Sequence, residues 1–188
     1  MRLIILVFVT LMVFGCSSYH GHVTNGRYVS PNNKISVALP KSIKNPVIYD
    51  HIGQKEGFVD FVKPINKRAV TKYSLEWRDK TKNEDFYAST KRYLPSYLHT
   101  DLADYQLGNF SIISDKKFKI GSHLAEQFIA VNSASQYSPA VWAVTIIDYR
   151  DKVLFAYTLQ PRNPNIAAAK QITWSAYNKF LNSIHNFS

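Results

Sequence analysis

Alternation of apolar and polar residues predicts much of the chain as β-strand. Apolar side chains occupy every second position at Ile35, Val37 and Leu39, and Pro40 ends that run. A period of two places one row of side chains on a single buried face. Alternation over 70–77 and apolar-rich segments elsewhere predict six further strands, which are 58–62, 70–77, 110–119, 124–131, 141–149 and 153–159. Residues 41–56 lack the pattern and are predicted to form a loop.

Two segments change to a helical period. Thr81-Lys82-Asn83-Glu84 has the spacing of a capping box, and the helix that follows should end before Pro95. Asn163-Pro164 has the composition of a helix start, and apolar residues over 166–184 form a single stripe. We therefore expect one helix between the third and fourth strands and a long helix that closes the chain.

The order of these elements predicts the fold class. Three strands, a helix, four strands and a helix indicate an α+β domain over residues 27–188. Short turns between consecutive strands favour antiparallel pairing. The expected architecture is a mostly antiparallel sheet of about six to seven strands packed by helices.

The first predicted strand also carries a family resemblance. The pattern Tyr28-x-Ser30-Pro31-x-x-x-Ile35-Ser36-Val37-x-Leu39-Pro40, with this element order, resembles the PsbP-like fold over most of residues 27–186. That family includes the extrinsic photosystem II subunit and many small bacterial proteins of unknown role. The resemblance implies an α-β-α sandwich and supplies no catalytic residues. A photosystem role does not follow, because nothing else in the sequence points to photosynthesis.

The N-terminus predicts export. Arg2 precedes an apolar run from Leu3 to Phe14, which is shorter than the about 20 apolar residues that a membrane-spanning helix needs. Residues 1–15 are therefore interpreted as a secretory signal peptide. A retained single-pass anchor is the alternative.

The end of that run resembles the lipobox of bacterial lipoproteins, at Val13-Phe14-Gly15-Cys16. The resemblance implies cleavage after Gly15 and a lipid (palmitate among its acyl chains) on Cys16. Ser17 in place of aspartate implies delivery to the outer membrane, facing the periplasm. Cys16 is the single cysteine of the chain, so no intramolecular disulfide can form. Residues 16–26 then form the lipidated cysteine and a polar tether; a free thiol in a discarded signal peptide is the alternative.

Charge is concentrated in one segment. The formal net charge is +10. A basic face here would meet anionic lipid, lipopolysaccharide phosphates or an acidic partner; a solvated segment that aids solubility is the alternative. The residues concerned are Lys63, Lys67, Arg68, Lys72, Arg78, Lys80 and Lys82. Nucleic acid is not an expected partner, since no motif for it occurs.

Catalytic and metal-binding patterns are absent from the sequence. It has no Gly-x-Ser-x-Gly nucleophile elbow, no His-Glu-x-x-His motif and no phosphate-binding glycine loop. His20-x-His22 is a close histidine pair, but it lies in the predicted tether. Glu126 lies within a predicted strand, where an outward orientation is the simplest interpretation. We therefore expect no enzyme activity, no metal and no cofactor.

Aromatic residues suggest a second possibility. Tyr87, Tyr93 and Tyr97 line the first predicted helix, and Tyr177 and Phe180 lie on the last. An aromatic groove between helix and sheet could bind an apolar ligand or a partner segment. Packing in the core is the alternative.

Two functional hypotheses follow. The first is a membrane-anchored envelope lipoprotein with a non-catalytic binding or assembly role, toward a protein partner or an anionic surface. The alternative is a periplasmic small-molecule or lipid carrier that uses an aromatic-lined pocket. A hydrolase is a more distant third.

Overall fold

The computed structural model describes residues 20–31, 35–53, 55–66, 69–81, 85, 110–132 and 140–184. In these ranges it has ten strands and two short helices. The strands are β1 His22–Thr24, β2 Arg27–Val29, β3 Ser36–Ala38, β4 Val47–Ile52, β5 Glu56–Asn66, β6 Ala69–Asp79, β7 Phe110–Ile120, β8 His123–Asn132, β9 Ala140–Tyr149 and β10 Lys152–Pro161. The helices are α1 Ala168–Gln171 and α2 Trp174–Asn182.

The strands form two antiparallel sheets. A small sheet has the order β1-β2-β3, and a large sheet has the order β4-β5-β6-β10-β9-β8-β7. Within the large sheet, consecutive strands are neighbours except for β6 and β7, because β6 pairs with β10 and β7 lies at the far edge. Among the described residues, β4 and β7 are therefore the two edges of the large sheet.

This architecture corrects the predicted fold class. We expected an α+β domain with a sheet packed by helices in an α-β-α sandwich. The described residues are instead mostly β, with two sheets and only two short helices, so the prediction was wrong. The first predicted helix lies almost entirely outside the described residues.

The closing helix is shorter than predicted because side chains compete with helical hydrogen bonds. Asn163 Oδ1 accepts a hydrogen bond from the Asn165 N–H at 3.0 Å, which makes a turn instead of a helix start. The Gln171 side chain also bonds the Asn163 backbone and the Ile166 carbonyl. Ile172 is extended, with ψ of 127°, and it separates α1 from α2.

Three strands, β1, β2 and β4, were not predicted from the sequence. β1 lies in the predicted tether and pairs with β2 across the turn Asn25-Gly26, whose φ values of 48° and 71° suit a tight hairpin. β4 lies in the predicted loop and pairs with β5. Neither β1 nor β4 has a fully buried side chain. Their sequences therefore lack the alternation of apolar and polar residues on which the prediction depended.

The large sheet is buried on both faces at its centre. Every described position of β9 from Ala140 to Ile147 is buried, and so is β10 from Val153 to Gln160. Burial on both faces explains why these two strands read as continuous apolar runs. We call the face that contacts α2 and the small sheet the helix face, and the other the opposite face.

The helix face carries the larger core cluster. Tyr73, Leu75 and Leu154 pack there against Tyr177 and Phe180 of α2. Each fully buried side chain of this size contributes about 1.5–3 kcal/mol of hydrophobic stabilisation. The opposite face has its own cluster, which includes Trp142, Val144 and Phe155. In the described part of the chain, no helix has the length and apolar character needed to cross a membrane.

Candidate functional site

A groove runs between α2 and the β7–β8 hairpin on the helix face. It encloses about 530 Å³. Ser114, Lys116 and Phe118 of β7 and Gln127 and Ile129 of β8 line the sheet side. Trp174, Asn178 and Asn182 line the helix side. We call this the α2 groove; a smaller hollow of about 370 Å³ adjoins it around the β7–β8 turn and shares Ile120, Leu181 and Asn182 with it.

The groove exists because α2 divides its two sides between the core and the solvent. Tyr177, Phe180 and Leu181 are buried toward the sheet. Trp174 and Asn178 are one helical turn apart and both line the groove, and the Trp174 ring also contacts Tyr177, with ring centres 6.2 Å apart. The helix therefore packs over the centre of the sheet and leaves β7 uncovered beside it.

Tyr177 fixes the position of α2. Its hydroxyl donates a hydrogen bond to the Ala156 carbonyl at 2.7 Å and is bonded with Thr145 Oγ1 at 2.9 Å. Gln127 Nε2 donates to the same Thr145 oxygen at 3.0 Å, which links the groove to this anchor. Burial raises the pKa of Tyr177 well above its usual range, so the hydroxyl stays protonated.

The predicted aromatic groove is built from other residues. Tyr177 and Phe180 are 0% and 2% exposed and belong to the core, as the alternative interpretation held. Trp174 and Phe118 line the groove instead, and Trp174 Nε1 donates to the Ala169 carbonyl at 2.7 Å. The three predicted tyrosines of the first helix lie outside the described residues, namely Tyr87, Tyr93 and Tyr97.

The groove has a positive charge pattern. Lys116 and Lys119 are its charged lining residues, and no carboxylate lines either the groove or the adjoining hollow in the described ranges. Polar neutral groups are supplied by Gln127, Asn178 and Asn182. This combination suits an anionic ligand that also carries apolar groups.

The predicted basic segment does not form one face in the described residues. Lys72 is 3% exposed and pairs with Asp60 at 2.8 Å on the opposite face. Lys63 is exposed and falls on the helix face by the alternation of β5. Strand alternation therefore separates lysines that are near one another in the sequence.

The remaining residues of that segment have local partners or lie outside the described ranges. The Arg78 guanidinium lies 6.0 Å from the centre of the Phe155 ring and donates to the Asp79 carbonyl. Lys80 pairs with Asp148. The residues outside the described ranges are Cys16, Lys67, Arg68 and Lys82.

Glu126 is not the outward-facing strand residue that we expected. It is fully buried on the opposite face. Its register partners are Lys117 of β7 and Ile146 of β9. The burial of a carboxylate at this position had no signal in the sequence pattern, since its neighbours Ala125 and Gln127 give no clear alternation.

A second polar cluster was missed by the sequence analysis. Asp50 on β4 accepts hydrogen bonds from the Tyr28 hydroxyl at 2.5 Å and the Gly21 N–H at 2.6 Å, and His20 Nδ1 lies 2.8 Å away. Burial works against ionisation of Asp50, but these hydrogen bonds prevail and lower its pKa. Burial and the Asp50 carboxylate raise the pKa of Tyr28 above its usual range. We call these four residues the Asp50 hub.

The histidine pair of the predicted tether is divided by this arrangement. His20 joins the Asp50 hub, whereas His22 begins β1. Across the parts of the chain that the structure describes, no group of three or more histidine, cysteine or acidic side chains is placed to hold a metal ion.

Comparison with known proteins adds little to this geometry. No family model matches the chain, and no curated protein matches it. Among solved structures, it is similar to PA94 of Pseudomonas aeruginosa, a protein of unknown function, at 14% identity and a TM-score of 0.45. The match covers 77% of this chain and 88% of that one. A likeness at this level carries no argument about function.

Proposed function

We propose that this chain is a membrane-anchored lipoprotein of the bacterial envelope whose domain has a non-catalytic binding role. In this proposal, the lipid on Cys16 holds the protein to the outer membrane, facing the periplasm. The α2 groove binds an anionic segment of a partner protein. The observation that carries the proposal is the lining of the groove, in which lysines and apolar side chains occur without a carboxylate.

The lining offers a separate contact for each part of such a segment. Phe118, Ile129 and Trp174 can cover apolar side chains, and burial of aromatic surface is a common source of binding energy. Lys116 can pair with a carboxylate of the segment. Asn178 supplies an amide that can bond its backbone. An extended chain fits an open groove of this kind better than a closed cavity would.

Strand β7 extends the same surface. Residues 111–117 are all exposed. Ile113 at the bulge is 51% exposed, whereas Ile112 is 47% exposed and pairs with Ala130 of the opposite-face cluster. A bulge between Ile112 and Ser114 interrupts the pairing of β7 with β8. Exposed apolar side chains beside a groove are typical of protein-binding surfaces.

In-membrane photocrosslinking tests this proposal. A photoreactive amino acid at Asn178 should give a discrete protein adduct when the full chain is expressed natively. The same amino acid at Ser175 is the control, because Ser175 is exposed on α2 but does not line the groove. Equal adducts from both positions would contradict the proposal.

A carrier role is the second candidate. The groove volume of about 530 Å³ lies in the range of small-molecule sites, and Trp174 and Phe118 give it an aromatic lining. Native mass spectrometry of the purified full-length protein should then show a co-purified apolar ligand. A clean mass with no shift on adding lipid would count against this role.

A further inference from the structure

The Asp50 hub holds the first described residues of the chain at one place in the fold. Gly21 and His20 are held to Asp50, which lies on β4 at one edge of the large sheet. The Asp50 side chain is 7% exposed, and its partner His20 is 66% exposed. The first described residue is therefore fixed at the β4 edge.

Covalent geometry then limits how far this edge can lie from Cys16. Cys16 and His20 are four peptide units apart. Since an extended chain spans at most about 3.6 Å per residue, their Cα atoms are within about 14 Å of each other. A lipid on Cys16 would therefore keep the β4 edge close to the bilayer.

The opposite edge of the sheet is much farther away. Six strand spacings separate β4 from β7 in the sheet order. At about 4.8 Å per spacing, the two edges are at most about 29 Å apart across the sheet. The β7 wall of the α2 groove therefore lies at the sheet edge farther from the anchor, whereas the end of α2 reaches back to the small sheet, where Arg27 donates to the Ser183 carbonyl.

The β4 edge has the chemistry of a membrane-contacting surface. Val47 and Tyr49 are 45% and 56% exposed on the same side of β4. Lys44 and Lys55 are exposed at its two ends. Exposed apolar and tyrosine side chains next to lysines suit the headgroup region of an anionic bilayer.

We infer that the β4 edge, with Val47 and Tyr49 at its centre and Lys44 and Lys55 at its two ends, contacts the anionic surface of the bilayer. This contact orients the domain so that the α2 groove points away from the membrane. The inference rests on the lipid anchor of the proposed function. Most lysines of the predicted basic segment are not part of this contact surface.

Site-directed fluorescence quenching tests this orientation. The full lipidated protein is reconstituted in phosphatidylglycerol vesicles that contain a lipid-borne quencher. Because the Cys16 thiol is occupied by lipid, a cysteine introduced by His51→Cys or Asn178→Cys is the one reactive thiol for a fluorophore. His51 is exposed on β4 and leaves Val47 and Tyr49 intact.

The label at position 51 should be quenched severalfold more than the label at position 178. Adding Tyr49→Ser to His51→Cys should reduce that quenching about twofold, because an interfacial side chain is lost. Equal quenching at 51 and 178, or stronger quenching at 178, would overturn the inference.

The mass of the N-terminal peptide from the same sample separates this inference from the proposed function. An unmodified Cys16 would remove the anchor, and both would fall. A lipidated Cys16 with no preference for position 51 would overturn the orientation alone and leave the anchor in place.

Discussion

The two edges of the large sheet differ in how their polar groups are used. At the β4 edge, the nearly buried Asp50 carboxylate bonds three groups, which belong to His20, Gly21 and Tyr28. At the β7 edge, residues 111–117 are exposed and lysines face an open groove. The polar groups at the β4 edge therefore stabilise the fold, whereas those at the β7 edge remain available to a ligand. The core around α2 supports both.

Removal of Phe180 should have the largest effect on stability, because its ring is buried between α2 and the sheet. Phe180 contacts Phe61 and Tyr73 in the helix-face core. Phe180→Ala should lower the free energy of unfolding by about 3–5 kcal/mol. Chemical denaturation measures this, and Lys179→Ala on the exposed neighbour is the control. A loss below about 1 kcal/mol would show that the core does not depend on this contact.

The buried ion pair on the opposite face should have the next largest effect. Lys72→Ala leaves Asp60 without its cation and should cost about 3 kcal/mol. Lys63→Ala removes an exposed lysine and should change stability by less than about 0.5 kcal/mol. Similar losses from the two substitutions, in the same denaturation measurement, would contradict the division of the basic segment between two faces.

The Asp50 hub should give a smaller, pH-dependent effect. Asp50→Asn should cost about 2 kcal/mol at neutral pH, since hydrogen bonds to a charged group are lost. The folded-state pKa of Asp50 is lowered, so its contribution is present above the unfolded pKa of about 3.9 and is lost as the pH falls through the folded value. Denaturation of both proteins across acid pH measures the difference, which should narrow below about pH 4. A constant difference would contradict the role of the carboxylate.

The smallest effect on stability should come from the groove. Lys116→Glu should leave the unfolding free energy within about 0.5 kcal/mol, because Lys116 is exposed. It should nevertheless reduce the protein crosslink from position 178 severalfold, since it reverses the charge that faces an anionic segment. Lys170→Glu makes the same charge change on α1, outside the groove, and should leave the crosslink intact. Equal reductions would point to net charge alone.

The strands of the large sheet could be predicted where apolar residues alternate with polar ones or form a continuous run, as in β9 and β10. Tyr73, Leu75 and Trp77 of β6 alternate with polar residues, and the structure places them in one cluster. The short β1 could have been predicted from Asn25-Gly26, because this residue pair is a strong sequence signal for a hairpin turn. β4 had no such signal, because Asp50 and His51 interrupt its apolar pattern.

The polar sites depend on contacts between residues that are distant in the sequence. Tyr28 and Asp50 meet because the small sheet packs on β4, which no local period reveals. The α2 groove depends on where α2 begins, which is at Trp174. The position of this helix start depends in turn on the hydrogen bond between Gln171 and Asn163. A pattern of apolar positions predicts which face is buried, but it does not predict which polar groups the fold brings together.

One measurement tests most directly whether the β4 edge contacts lipid and the β7 edge contacts a protein. Photoreactive amino acids are placed at His51 and at Asn178 of the full chain, and the adducts that form in native membranes are analysed by mass spectrometry. We expect lipid adducts from position 51 and a discrete protein adduct from position 178. Lipid adducts from position 178, with protein adducts from position 51, would contradict it.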